Sequence, residues 1–342
     1  MKISVKRTVA LFLAMVLTLT ALTAFVSCSG RDKLNRTAVG FVGAYEVYYE
    51  ELRWMTMQYK DLMAANYGAD IWENKDTAEK YRAELESAVF SNIISNYAVL
   101  TLCDDDMLKL NGEKLIDING SEVQGIVENY VNATVDEAGG KAEYNKELEK
   151  NYLTDSLYRF MCGVDTCESI LFNYYCSLAI IDDSDEAAID YIYENFIRTV
   201  HVYIQNDKGD DTEANRALAE AIRVKLANGE DINDLVKKYS EDRYMASSDG
   251  YYFTHGQYSD AYENAAFALG MGEISPVVET YSGFYVIQRL ELDGAYIGAH
   301  FSTDLKEQYL LAVFNKEIEK CKESLSFDLN DFGRSVDLVE ME

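Results

Sequence analysis

Hydrophobic positions recur at two different periods along this chain, and the switch between them divides it. Leu52, Met55, Tyr59 and Leu62 fall three or four residues apart and predict an amphipathic helix. Tyr81, Leu85, Ala88, Phe90, Ile93, Tyr97 and Leu100 share one broad face and predict another over about 77–102. Further helices are expected at 121–135, 142–151, 155–162 and 169–180, and one from Ser184 to Asn195, with Ser184 as N-cap and Asp185 and Glu186 at its positive end. Before these, Val39, Phe41, Tyr45 and Val47 predict a short strand pair over 37–47, turned at Gly43-Ala44. At Arg198 the period becomes two. Residues 198–205 (Arg-Thr-Val-His-Val-Tyr-Ile-Gln) read as a strand with His201 inside it. Helices at 212–228 (stopped by Gly229), 232–239 and 261–269 follow, with a Gly/Ser/Asp-rich loop before the third, a turn at 272–278 and a strand at 283–292. The order β-α-α-loop-α-β over roughly a hundred residues describes one small α+β domain. A last amphipathic helix is expected at 305–325, ahead of a mixed tail.

Composition narrows the function. The chain has 342 residues, 48% hydrophobic and 26% charged, which suits folded domains rather than a disordered tail. Its formal net charge is −28, so phosphate backbones would be repelled and nucleic-acid binding is excluded as the main task. Pro276 is the single proline, which leaves the chain almost free of slow X-Pro steps in its own folding. Lys2, Lys6 and Arg7 precede an uncharged run over 8–26 and then Ser27-Cys28-Ser29-Gly30. A basic start, an apolar stretch and a small residue at the break predict a secretory signal over 1–27; an uncleaved anchor is the competing reading. The cysteine at the break resembles the lipobox of bacterial lipoproteins, although Phe25 stands where an aliphatic residue is usual. That resemblance implies lipidation of Cys28, a short tether over 28–37 and work at the extracytoplasmic face of the cell membrane. The remaining cysteines, Cys103, Cys162, Cys167, Cys176 and Cys321, are odd in number and lack C-x-x-C spacing, so they read as buried small hydrophobes. The acidic runs at 104–106, 182–183 and 207–211 lack the EF-hand pattern, and no metal or other cofactor is expected.

The small domain carries a series of spaced words. His201-Val202-Tyr203-Ile204 opens it. Asn228-Gly229-Glu230-Asp231-Ile232 and Tyr239-Ser240-Glu241-Asp242 follow, then Ser248-Asp249-Gly250-Tyr251-Tyr252-Phe253 with Gly256-Gln257. Ala265-Ala266-Phe267-Ala268-Leu269, Gly272-Glu273-Ile274-Ser275-Pro276-Val277 and Ser282-Gly283-Phe284-Tyr285-Val286-Ile287 close it. In this order and at these intervals the words resemble the parvulin family of peptidyl-prolyl isomerases. The rest of the chain, from Val39-Gly40-Phe41-Val42-Gly43 and Glu50-Glu51-Leu52 onward, is more loosely similar to the PrsA-type extracellular foldase lipoproteins of Gram-positive bacteria.

The resemblance implies a parvulin-like α+β domain, a small antiparallel sheet flanked by helices, inserted in a mostly helical chaperone domain. The expected divisions are 38–194 for the N-terminal helical segment, 195–293 for the parvulin domain and 294–342 for a C-terminal helix and tail packing on the first segment. It implies isomerisation of X-Pro bonds in unfolded or newly exported polypeptides, attachment to the membrane by the N-terminal lipid, and a homodimer through the helical lobes as an open option. Carried over by position, His201 holds the first histidine place, Asp242 the Cys/Asp place, and Ser282 a neighbouring serine. Tyr258 stands where Met is usual, Tyr262 where Phe is usual, Tyr285 where a second histidine is usual, and Gly250 where leucine is usual. Phe253, Gln257 and Phe267 are the candidate substrate-binding residues. The tyrosine replacements keep open a holdase built on a catalytically weakened parvulin fold; a surface lipoprotein with a structural or solute-binding role is a remote alternative from another class.

Overall fold

The computed structural model describes residues 33–342 apart from 69, 111, 207–211, 246–248 and 281. The expected signal segment, Cys28 and the first half of the expected tether lie outside the described residues. In chain order, β1 (Ala38–Val42) and β2 (Tyr45–Tyr48) form a hairpin that turns at Gly43, whose φ of +57° glycine adopts without strain. Then come α1 (Tyr49–Tyr67) and α2 (Lys75–Cys103), the latter capped by the Asn74 side chain, which accepts from the amides of Asp76 and Thr77. A small hairpin of β3 (Lys109–Leu110) and β4 (Glu113–Lys114) leads to α3 (Ser121–Glu137), α4 (Lys141–Lys150) and α5 (Asp155–Ser177). α5 is one helix where two were expected. Gly163 is no stop signal there: a Cβ on it would lie 3.0 Å from Ile118 Cγ1, so the glycine lets a neighbouring side chain lie against an unbroken helix.

The chain continues through α6 (Asp185–Asn195), β5 (Ile197–Gln205), α7 (Thr212–Ala227), α8 (Ile232–Tyr239), β6 (Tyr251–Phe253), α9 (Asp260–Ala268), β7 (Val278–Thr280) and β8 (Gly283–Leu290). Ser184 caps α6 as expected, accepting from the Ala187 amide at 3.2 Å. After these come α10 (Gly294–His300), a π-helical turn (Phe301–Leu305), α11 (Lys306–Glu323), β9 (Phe327–Leu329) and α12 (Asp331–Ser335). Neither β6 nor β7 was foreseen. Each is three residues long, too short to set up a period-two pattern.

The chain folds as two compact units, one of residues up to Leu178 with Lys316–Glu342, the other of Ala179–Asn315. In the first, helices dominate and the C-terminal tail returns to the start. β9 pairs antiparallel with β1 in a sheet of order β2-β1-β9, and the Asn330 side chain donates to the Ala38 carbonyl at 2.8 Å. Arg82 grips Asp337 through both terminal nitrogens at 2.8 and 3.1 Å. Among the described residues no helix is long and apolar enough to cross a membrane.

The second unit is an α+β domain on a four-stranded antiparallel sheet of order β6-β5-β8-β7. Side chains alternate across a strand, so Val200, Val202 and Ile204 leave one face of β5 while Thr199, His201 and Tyr203 leave the other. The first set packs with Ile222, Leu226, Leu235 and Val236 of α7 and α8, and with Phe284 and Val286 of β8. On the opposite face Ile197, Phe253 and Ile287 pack with Tyr262 and Ala266 of α9. His201 is therefore fixed by register, opposite Ile287, on the face that α9 covers.

Candidate active site

Thr199, His201 and Tyr262 meet in the interior of that face, each no more than 2% exposed. His201 Nδ1 lies 2.9 Å from the Tyr262 hydroxyl, which lies 2.9 Å from Thr199 Oγ1. On its other side, His201 Nε2 lies 3.1 Å from Asp242 Oδ2, and the Tyr251 hydroxyl donates to the same oxygen at 2.8 Å. The second carboxylate oxygen accepts from the amides of Tyr244 and Met245 at 2.9 and 3.2 Å, which holds Asp242 in a turn of its own.

The proton directions follow from these partners. Burial pushes the Asp242 carboxyl upward, but the hydrogen bonds from His201, Tyr251 and the Met245 amide outweigh it and hold the group well below the usual carboxylate range. An ionised carboxylate only accepts, so His201 carries its proton on Nε2. Burial lowers the His201 pKa below its ordinary value, more strongly than Asp242 raises it, and the ring is neutral near pH 7. Nδ1 must then accept, the Tyr262 hydroxyl donates to it, and Tyr262 in turn accepts from Thr199. Burial also raises the Tyr262 phenol above its ordinary value, which keeps that proton in place. The result is one directed row, Thr199 to Tyr262 to His201 to Asp242, with no free base and no activated nucleophile.

Aromatic rings wall this row. Tyr285 stands edge-on to His201 at 5.1 Å and to Tyr262 at 5.2 Å, and stacks on Tyr203 at 4.5 Å. Tyr258 lies 5.3 Å from Tyr262, 4.7 Å from Phe253 and 5.9 Å, stacked, from Tyr251. Phe253 is fully buried and forms the floor, whereas Tyr258 is 40% exposed and forms the rim. Thus His201, Asp242, Tyr258, Tyr262 and Tyr285 come together on one face of the sheet, with Phe253 beneath.

The other candidates lie further out. Phe267 touches Phe253 at 5.7 Å and stacks on His255. Gln257 accepts from the Thr254 amide at 3.3 Å and reaches Gln308. Ser282 sits at the turn between β7 and β8; its hydroxyl lies 3.2 Å from Thr280 Oγ1, and its carbonyl accepts from the Tyr203 hydroxyl at 2.6 Å. Its side chain makes no hydrogen bond to the histidine row. Sequence reasoning missed Thr199, Tyr203 and Tyr251. The first two share strand parity with His201 and were legible from that alone, while Tyr251 lies on the three-residue β6, which leaves no periodic signal. Also missed was Glu263, a buried carboxylate that accepts from the amides of Gly256, Gln257 and Tyr258 at 2.9, 2.7 and 2.7 Å and so shapes the rim loop.

Gly250 is explained by the backbone. Its φ is +94°, and a Cβ there would lie 2.7 Å from the Thr199 carbonyl oxygen, so leucine does not fit where the family usually has one. Gly250→Ala is expected to destabilise this unit by about 1–3 kcal/mol. A urea midpoint unchanged by the substitution would overturn that account.

A cavity of about 900 Å³ lies elsewhere in the unit, between α9 and the 272–278 turn, and is lined by Ala265, Leu269, Ile274, Pro276 and Val278 among others. It shares no residue with the histidine row. Its carboxylate, Glu273, is spent on the Gly270 amide, so it offers little chemistry.

Residues 201–291 match the family model of the rotamase, PPIC-type PPIASE domain. The chain carries a parvulin-type prolyl isomerase domain. Over a longer span, the chain is 26% identical over 291 residues to the foldase protein PrsA of Caldanaerobacter subterraneus subsp. tengcongensis, covering 83% of this chain and 82% of that protein. It is 29% identical over 124 residues to the foldase protein PrsA of Bacillus subtilis, covering 34% and 42% respectively. The solution structure of the parvulin NmPin of Nitrosopumilus maritimus is 31% identical and covers 28% of this chain and 97% of that one, with a TM-score of 0.24. The histidine row lies inside the matched stretch but for Thr199.

Proposed function

We propose that this chain is an extracytoplasmic foldase whose parvulin domain isomerises X-Pro bonds in exported polypeptides, held at the membrane face by a lipid on Cys28. The observation that carries the catalytic half is the convergence of His201, Asp242, Tyr258, Tyr262 and Tyr285 over Phe253. Rotating an X-Pro amide meets a barrier of about 18–20 kcal/mol set by resonance, and it needs neither nucleophile nor cofactor. A catalyst has only to bind the twisted, less conjugated amide better than either planar form. In this reading the pyrrolidine ring rests on the exposed ring of Tyr258 beside the half-buried Tyr285, over the buried Tyr262 and Phe253, with Phe267 behind. The row of Thr199, Tyr262 and neutral His201, closed by the ionised Asp242, holds those rings rigid without offering a planar carbonyl a strong partner. Gln257 fastens the rim loop, and the Ser282 carbonyl steadies Tyr203 against Tyr285.

Added to the refolding of a proline-limited protein, the chain is expected to accelerate the slow phase in proportion to its concentration. No acceleration, together with suppressed aggregation of the same client, would favour the holdase reading instead. Tyr285 in place of the second histidine is the feature that keeps this second reading in play. The basic start, apolar run and Ser27-Cys28 break support export and lipidation. The PrsA relatives support unfolded polypeptides as clients, and a homodimer belongs to the same reading.

A further inference from the structure

The rim of the parvulin site continues past the family-matched stretch. Gln257 Nε2 donates to Gln308 Oε1 at 3.1 Å, and Gln308 Nε2 donates to Asp304 Oδ1 at 3.0 Å. Asp304 belongs to the π-helical turn Phe301–Leu305, a wide turn of the kind often kept where a side chain must be aimed. That turn is anchored from below and behind. Leu305 is fully buried with Ile192, Phe196 and Tyr252, Lys306 binds Asp185 at 2.6 Å, and the Tyr309 hydroxyl donates to the Asp182 carbonyl at 2.6 Å. Asp304 itself is exposed, and among the described residues its Oδ2 takes no hydrogen bond.

The carboxylates of Asp242, Asp304 and Glu263 all act on the rim ring Tyr258. Glu263 is used up by three backbone amides and Asp242 by the histidine row, which leaves Asp304 as the carboxylate able to meet a client. Several cations of this unit are turned elsewhere. Arg216 pairs with Glu279, Arg289 with the carbonyls of Phe267 and Leu269, Arg198 with those of Asp249 and Glu291, and Lys306 with Asp185. Arg243, exposed next to Asp242, is the rival charge.

We propose that Asp304, positioned by Gln308 and Gln257, completes the client groove and selects X-Pro segments that carry lysine or arginine beside the proline. This rests on the isomerase reading above and extends it to the sequence of the client. A carboxylate at the rim raises encounter with cationic segments and disfavours acidic ones, an effect that salt weakens.

The test is kcat/KM of the full chain on three peptides that differ only in the residue before proline: lysine, alanine or glutamate. For a single exposed charge the expected preference for lysine over glutamate is about threefold to fivefold at low salt, shrinking toward one at high salt. Asp304→Asn should abolish the preference, Asp304→Lys should reverse it, and Asp304→Glu should restore it. A merely structural role would lower all three peptides together and leave their ratio unchanged, which overturns the proposal. A preference for glutamate that disappears in Arg243→Ala overturns it too, in favour of the rival charge. Turnover of none of the three peptides is a different result: it removes the isomerase reading itself.

Discussion

Tyr262→Phe will lower kcat/KM for an X-Pro peptide by about tenfold, equivalent to some 1.4 kcal/mol of transition-state binding. Only one oxygen leaves, but it is the middle link of the row. Without it His201 Nδ1 and Thr199 Oγ1 each lose their partner in a space that water does not reach. A buried polar atom left unsatisfied costs about 1–3 kcal/mol, so the same variant should also unfold at lower urea. The histidine then has no fixed donor on Nδ1, its ring is free to rotate or change tautomer, and the rings packed edge-on against it, Tyr251 and Tyr285, lose their register. Both effects are separable by assaying turnover well below the unfolding midpoint. A variant that is less stable yet turns over normally would reduce the row to scaffold and leave the aromatic wall alone as the catalyst.

The sequence was most informative where two signals coincided. The β5 pattern placed His201 on a strand, and the spaced words around it placed Asp242, Tyr258, Tyr262 and Tyr285 near it; the structure brings all five to one face. Thr199 and Tyr203 could have been added from strand parity alone. What stayed hidden were features set by register and close approach. Tyr251 reaches Asp242 because β6 pairs Tyr251 with Thr199, and three-residue strands leave no periodic trace. Gly250 looked like a lost leucine until its positive φ and the nearby Thr199 carbonyl gave the reason. Ser282 matched a family word, yet its hydroxyl bonds within its own turn while its backbone carbonyl serves the site, a distinction that residue identity does not encode. The tail read as mixed because β9 is short and gains its partner, β1, from the far end of the chain.

The second large effect lies in the helical unit and is a pH dependence. Glu51, near the start of α1, is 3% exposed; its carboxyl accepts from the Tyr97 hydroxyl at 2.7 Å and from Asn96 Nδ2 at 3.0 Å. Burial nevertheless prevails over these donors and pushes its pKa from 4.5 up to about 7. Between those two values the folded chain holds a proton that the unfolded chain has released, so stability is full below pH 4.5, falls as pH rises, and is lowest above 7. The loss across that window is about 3 kcal/mol for a shift of this size. Glu51→Gln keeps the shape, still accepts on one oxygen and can donate to the Tyr97 hydroxyl, but it has nothing to titrate. The variant is therefore expected to gain about 2–3 kcal/mol over the parent at pH 8 and little or nothing at pH 4.5, measured by urea unfolding at each pH. Asp165 and Glu168 on α5, raised by burial to about 6 and about 7, bend the parent curve in the same direction, so the variant's own profile should flatten without becoming level. An equal gain at both pH values would mean that the introduced glutamine simply packs better, and that the buried charge is not what limits the unit in neutral solution.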